Sequence, residues 1–188
     1  MTSPNRPLRF PQVFEVTKRS AAGTQLETAI RLWFEEKDRA SIHTLAIAAS
    51  GILNQMCKER EITSSEINDL IKAQPEAFRD IMRSAQNFFK HGRHKVRKWK
   101  GMVLLVPEFT ELVLIDCLSM HYRLFDTLSP LMRLFGFRYN LFNPKAFPMQ
   151  MTLKGIKVED LRRFTRAEFL EKVLPRLRVQ LGKVPPTS

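Results

Sequence analysis

The chain has 188 residues, of which 44% are hydrophobic, so it can bury a core without structural metals and is too apolar for a disordered chain. The 31 Lys and Arg residues outnumber the 19 Asp and Glu residues, and the formal net charge of +12 favours an anionic partner. Two cysteines, both in apolar surroundings, argue against a disulfide framework and against a zinc site of paired ligands.

The first residues predict an N-terminal arm. Pro4, Pro7 and Pro11 interrupt any continuous helix there. The arm contains no apolar signal segment, and no run of about 18 apolar residues occurs in the sequence. We therefore expect a cytoplasmic protein without a membrane partner.

Two helices are predicted to form an antiparallel hairpin. The first begins near residue 21 or 24 and ends near 37, and the second extends over about 41–60. The first carries Leu26, Ile30 and Trp33 at helical spacing, which makes one apolar stripe. The centre of the second, residues 46–51, is rich in small side chains, and such a surface lets a neighbouring helix approach closely.

Another helix is predicted over 75–91. It follows a capping-box pattern at Thr63 that indicates a short helix over 64–73. Pro75 suits the first turn of the longer helix, and Gly92 suits its C-terminal stop.

The C-terminal half predicts further helices. A long helix over 109–135 is expected to bend at Pro130, and a packed loop is expected over 137–157. A second capping box at Thr165 predicts the start of a last helix, disturbed at Pro175.

The predicted fold class is therefore all-α: a helical bundle built on an antiparallel helix hairpin. Residues 102–106 are expected to form a short extended segment or a buried loop. The predicted organisation is an arm at 1–15, a helical domain at 16–136, and a basic C-terminal loop and helix extension at 137–188 packed on that domain.

Standard enzyme signatures are absent from the sequence. We find no P-loop, no Gly-x-Ser-x-Gly element and no His-Glu-x-x-His element. Carboxylates do not cluster as a Mg²⁺-dependent nuclease requires. The sequence therefore predicts no metal site and no cofactor.

One polar line on the helix over 75–91 suits chemistry on RNA. Arg83, Asn87 and His91 are spaced four apart and share a face. The helix dipole favours the cation of a histidine at a C-terminus, and such a cation suits a general acid or a phosphate contact. We predict His91 as general acid/base, Asn87 as orienting it or the phosphate, and Arg83 as binding phosphate. These groups suit metal-independent cleavage in which the RNA 2′-hydroxyl attacks its own phosphate.

The hairpin followed by a helix that ends in Asn87-x-x-x-His91-Gly resembles the HEPN domains over roughly residues 20–136. The resemblance implies an all-α, often dimeric domain of a superfamily rich in metal-independent ribonucleases of toxin and anti-phage systems. Its signature is Arg-Asn-x-x-x-His, and Gln86 occupies the arginine position here. Residues 87–91, Asn-Phe-Phe-Lys-His, also resemble an element of an uncharacterised bacterial family.

A dense basic run directly follows this line and predicts nucleic-acid binding, with RNA favoured over DNA. Trp99 is placed to stack a base, and the cations to meet successive phosphates. An acidic protein partner or simple solvation are the alternatives. The predicted binding residues are Lys90, Arg93, His94, Lys95, Arg97, Lys98, Trp99 and Lys100. A second basic set comprises Lys154, Lys157, Arg162, Arg163, Arg166, Lys172, Arg176 and Arg178.

Ordinary structural roles remain open for several of these residues. Asn87 and His91 also suit a plain helix end. His43 is predicted as a hydrogen-bonded core residue, with a position facing His91 as the alternative, and His121 is predicted to be structural. The favoured function is an RNA-directed, HEPN-like homodimer, and its sharper form is a metal-independent endoribonuclease. The alternative is a non-catalytic interaction module that binds nucleic acid or an acidic protein through its basic face.

Overall fold

The computed structural model describes residues 14–63, 71, 73, 75–91, 102–144 and 157–182. Within these ranges the regular secondary structure is entirely helical, which confirms the predicted all-α fold class. None of the described helices has the length and apolar character needed to cross a membrane. The helices are α1 Lys18–Phe34, α2 Arg39–Glu59, α3 Glu76–His91, α4 Pro107–Phe125, α5 Pro130–Phe142, α6 Val158–Arg163 and α7 Arg166–Gln180.

The predicted hairpin is formed by α1 and α2, and its small residues explain their close packing. Ala22 and Ala29 on α1, and Ala46 and Ala49 on α2, are fully buried. Small side chains leave little between two helix backbones, so the helices pack tightly. Lys18 at the start of α1 forms an ion pair with a glutamate at the end of α2. The two helices are therefore antiparallel.

The start of α1 lies earlier in the chain than the apolar pattern predicts, because a cap fixes it. The Thr17 hydroxyl accepts a hydrogen bond from the Ser20 N–H at 3.1 Å, and the Ser20 hydroxyl accepts one from the Thr17 N–H at 3.0 Å. This reciprocal pair satisfies two donors that a helix start leaves open. Most of the predicted helix 64–73, including its cap partner Glu66, lies outside the described residues.

At its C-terminal end, α1 closes with a glutamate in a conformation that favours glycine. Glu36 has φ of 53°, in the left-handed region. The Glu36 N–H donates to the Trp33 carbonyl at 3.3 Å, and the Lys37 N–H donates to the Leu32 carbonyl at 3.0 Å. This is the Schellman arrangement, in which a side chain at the left-handed position costs about 1–2 kcal/mol.

Glu36→Gly is therefore expected to raise the free energy of unfolding by about 0.5–1 kcal/mol, since glycine removes the left-handed strain and a carboxylate from the negative end of the helix dipole. The matched control is Glu35→Gly at the neighbouring exposed position, where φ is −80°. That change should lower the stability or leave it unchanged. Urea unfolding of the three proteins measures the difference, and equal effects at both positions would contradict the assignment.

The long helix predicted over 109–135 is instead two helices, α4 and α5. Asp126 ends α4 with φ of 52°, which turns the chain out of the helix. Ser129 then caps α5 by accepting from the Met132 N–H at 3.3 Å, and Pro130 occupies the first helical position. The proline thus starts a helix where a bend was predicted. Since α5 continues to Phe142, residues 137–142 are helical where a packed loop was predicted.

The core lies where α1, α2 and α4 meet and continues into an aromatic cluster beneath α7. The Trp33 ring meets the Phe135 ring edge-on at 4.8 Å, and Phe34 stacks on Phe169 at 6.3 Å. The predicted capping box at Thr165 begins α7, which continues through Pro175 without a break. The cluster therefore fixes the start of α7 against the C-terminal end of α1.

Candidate functional site

The predicted RNA-directed line lies on α3, which runs unbroken to His91. Arg83 is exposed and Asn87 is half-buried. Of the other predicted site residues, the side chains of Lys90 and His91, and residues 92–100 with Arg93, His94, Lys95, Arg97, Lys98, Trp99 and Lys100, lie outside the described part of the chain.

The opposite side of α3 is its packed face. Met82 and Ala85 are buried, and the Phe89 ring lies 5.8 Å from the His43 ring on α2. Arg83 and Asn87 are one helical turn apart and lie on the other side of the helix from this packed face. The helix is thereby oriented with Arg83 toward solvent.

His43 is a core residue, as one of its two predicted roles required. Its side chain is only 1% exposed, and its Nδ1 lies 2.9 Å from the Thr110 hydroxyl on α4. Its Nε2 has no hydrogen-bond partner among the described residues. Burial lowers the pKa of His43 to about 4, so the imidazole is neutral near pH 7.

His121 is also structural, in agreement with its predicted role. Its Nδ1 lies 3.0 Å from the Thr127 carbonyl oxygen, beyond the end of α4. A carbonyl only accepts, so Nδ1 carries the proton and donates it. The ring meets Phe125 edge-on at 4.7 Å. These contacts fix the turn between α4 and α5.

The positive charge is unevenly distributed along the chain. Residues 14–63 carry seven Lys or Arg and seven Asp or Glu, so the hairpin is neutral. Residues 92–101 carry five Lys or Arg and no acid, and residues 157–182 carry seven against four. A charge excess kept only for solubility needs no such clustering. The net charge is thus concentrated after α3 and in the C-terminal helices.

A second candidate site, which the sequence analysis missed, is a cavity of about 120 Å³ among helix ends. The C-terminal end of α1 and the first turns of α2, α4 and α7 contribute to its walls. The lining residues are Trp33, Glu36, Lys37, Arg39, Ile42, Leu105, Pro107, Thr110, Glu111 and Arg166. One sequence signal is the alternation of charges over residues 36–39, but its position relative to α4 and α7 depends on the fold.

Glu111 holds one wall of this cavity together. Its Oε1 accepts a hydrogen bond from Trp33 Nε1 at 3.0 Å and another from Arg166 Nη2 at 2.8 Å. The Arg166 guanidinium also lies 4.0 Å from the centre of the Trp33 ring. These contacts join α1, α4 and α7 and fix the three side chains around the cavity.

Among the residues that the structure describes, no three His, Cys, Asp or Glu side chains are grouped as metal ligands would be. Comparisons of the chain with protein-family models, with curated protein sequences and with solved structures return no match.

Proposed function

We propose that this protein binds RNA at the C-terminal end of α3 and cleaves it there by metal-independent transesterification. The proposed site consists of Arg83, Asn87 and His91 and of the basic run over 93–100. In the proposed arrangement, the end of α3 binds the scissile phosphate, and the basic run binds the strand beyond it. The resemblance to HEPN domains points to the same helix end.

A single observation carries this proposal: α3 stays helical up to His91, and the most cationic segment of the chain begins directly after it. The carbonyl end of a helix favours an adjacent imidazolium by about 0.3–1 kcal/mol. The neighbouring cations favour a bound phosphate. Arg83 is exposed two turns before the helix end, where it can contact a backbone phosphate of the same strand.

The proposed chemistry requires one base and one acid. A neutral imidazole takes the proton of the 2′-hydroxyl, and the 2′-oxygen forms a bond to the adjacent phosphorus. The bond from phosphorus to the 5′-oxygen then breaks, and an imidazolium gives its proton to that oxygen, leaving a 2′,3′-cyclic phosphate. In a homodimer, His91 of each copy supplies one of the two groups.

Gln86 favours a second candidate function, a binding module without turnover. It stands where the HEPN signature has arginine, so the cation that would stabilise the developing charge is absent from that position. In this alternative the same helix end and basic run bind RNA without cleaving it.

The deciding experiment is RNA cleavage in excess EDTA by wild type, His91→Ala and His94→Ala. We expect His91→Ala to lower the rate by about 100-fold or more, since general acid–base catalysis contributes that much. The comparison variant His94→Ala removes a nearby imidazole that is proposed only to contact the strand, so it should lower the cleavage rate much less than His91→Ala does. If wild type leaves the RNA intact, the catalytic proposal fails and the binding module is favoured. Equal cleavage by all three proteins would indicate a contaminating nuclease and would overturn the assignment of His91.

Binding is measured separately by salt-dependent titration. The triple variant Lys95→Gln, Arg97→Gln, Lys98→Gln should bind single-stranded RNA more weakly, and its slope of log affinity against log salt should fall by about 2. The control removes three cations from the neutral hairpin: Lys18→Gln, Arg31→Gln, Lys58→Gln. An equal loss in both variants would contradict a defined RNA site after α3.

A further inference from the structure

The cavity near Trp33 lies where three helices begin. Arg39, Pro107 and Arg166 are the first residues of α2, α4 and α7, and all three line it. Each helix start carries about half a positive charge from its backbone dipole, whereas the end of α1 contributes about half a negative one. Carboxylates of Asp38 and Glu168 take part in the caps of α2 and α7, whereas no side chain caps the start of α4. The start of α4 therefore adds to the positive potential that the side chains create.

The side chains in and behind the cavity also carry an excess of positive charge. Lys37, Arg39 and Arg166 line it together with two carboxylates, Glu36 and Glu111. Since Arg166 is paired with Glu111, its charge is largely neutralised. The other two cations are exposed side chains at the mouth.

A fourth cation lies behind this wall. Arg138 is 9% exposed, and its guanidinium donates to the Phe164 carbonyl at 3.0 Å. Burial, and next the charge of Arg166, lower the pKa of Arg138, while Glu111 and Glu36 act in the opposite direction. Arg138 is therefore within electrostatic reach of Arg166, Glu111 and Glu36. With Arg138 and with the Asp38 carboxylate that caps α2, the surroundings of the cavity hold four cations and three carboxylates, a net positive charge that attracts an anion.

Glu111 indicates which anion fits. Its Oε1 accepts from Trp33 and Arg166, and its Oε2 accepts no hydrogen bond among the described residues. An anion beside this carboxylate is repelled unless it donates a hydrogen bond. A phosphate monoester keeps one proton below its second pKa of about 6 and a fraction of it near neutral pH. Sulfate and the phosphodiester backbone of RNA have no such proton.

We propose that this cavity binds the phosphate group of a phosphate monoester. Lys37 and Arg39 contact its charged oxygens, and Glu111 Oε2 accepts the hydrogen bond of its protonated oxygen. Ile42 and Leu105 contact the carbon atoms next to the ester. A free nucleotide and the 5′-phosphate end of a strand present the same group. This proposal does not depend on the proposed RNA site after α3.

The test uses the full chain with Trp99→Phe, which leaves Trp33 as the sole tryptophan and its fluorescence as a reporter of the cavity. Inorganic phosphate and sulfate are titrated near pH 6.5 at constant ionic strength, with calorimetry as a second measurement. We expect phosphate to bind saturably and sulfate to bind at least about tenfold more weakly than phosphate. The variant Lys37→Gln, Arg39→Gln should lower phosphate affinity by about tenfold or more, because two charge-assisted contacts are lost.

The control Arg31→Gln, Lys58→Gln removes the same charge from exposed positions elsewhere on the hairpin and should leave phosphate binding unchanged. Non-saturable phosphate binding, sulfate binding as tight as phosphate, or equal losses in the two double variants would each overturn the proposal. Adenosine 5′-monophosphate and RNA with or without a 5′-phosphate then distinguish the two sources. The triple variant in the basic run should still bind phosphate, so failure of the RNA site and failure of this cavity give different results.

Discussion

Phe169→Ala should lower the free energy of unfolding by about 3–5 kcal/mol, the usual cost of truncating a fully buried phenylalanine. Phe169 has no exposed surface and stacks on Phe34 at 6.3 Å, with Phe137 at 5.9 Å. Rings from two other helices surround it, so the void left by truncation cannot collapse easily. A loss of this size is a large part of the 5–15 kcal/mol typical of a domain. Urea unfolding followed by far-UV circular dichroism measures it.

Phe142→Ala is the matched control for this prediction. The Arg138 guanidinium lies 5.1 Å from the Phe142 ring and 5.1 Å from the Phe169 ring. Each change therefore removes one cation–π contact of Arg138 at the same distance. Phe142 is 52% exposed, however, and its truncation should cost about 1 kcal/mol or less. Equal losses at the two positions would show that burial beneath α7 does not dominate the stability of this region.

The second large effect is a loss of stability on acidification, caused by His43. Its pKa is about 4 in the folded protein and 6.5 in the unfolded chain, because burial penalises the cation. Between these values the unfolded state binds a proton that the folded state does not. The contribution of the neutral His43 to the free energy of unfolding is therefore complete above about pH 6.5. It disappears as the pH falls to 4, and the protein loses about 3 kcal/mol of stability.

The measurement is urea unfolding at several pH values between 4 and 7. The double variant His43→Leu, Thr110→Val removes the imidazole together with the hydroxyl that bonds it, so no polar group loses its partner. His121, whose pKa burial also lowers, titrates in both proteins and cancels in the comparison. We expect the wild type to lose about 3 kcal/mol more than the variant over this range. Parallel pH profiles would show that protonation of His43 does not oppose folding.

Local signals determined much of this fold. The capping box at Thr165, the hydroxyl of Ser129 and the prolines at 107 and 130 each supply a chemical requirement of a helix start, and a helix begins at each. The apolar stripe of α1 is buried as its spacing predicts. Such signals act within one turn of chain, so the sequence alone determines the fold class, the hairpin and α3 up to His91.

Tertiary contacts decided the rest. No local pattern requires α4 to end at Asp126, because aspartate tolerates the left-handed conformation but does not demand it. His43 becomes a neutral core residue because helices distant in sequence bury it, and Thr110, 67 positions later, bonds its Nδ1. The cavity likewise needs Glu111, Trp33 and Arg166 from three helices. Sequence patterns contain the periodicity and the caps of each helix, whereas the charges and hydrogen bonds of a site between helices depend on distances that only the packed chain sets.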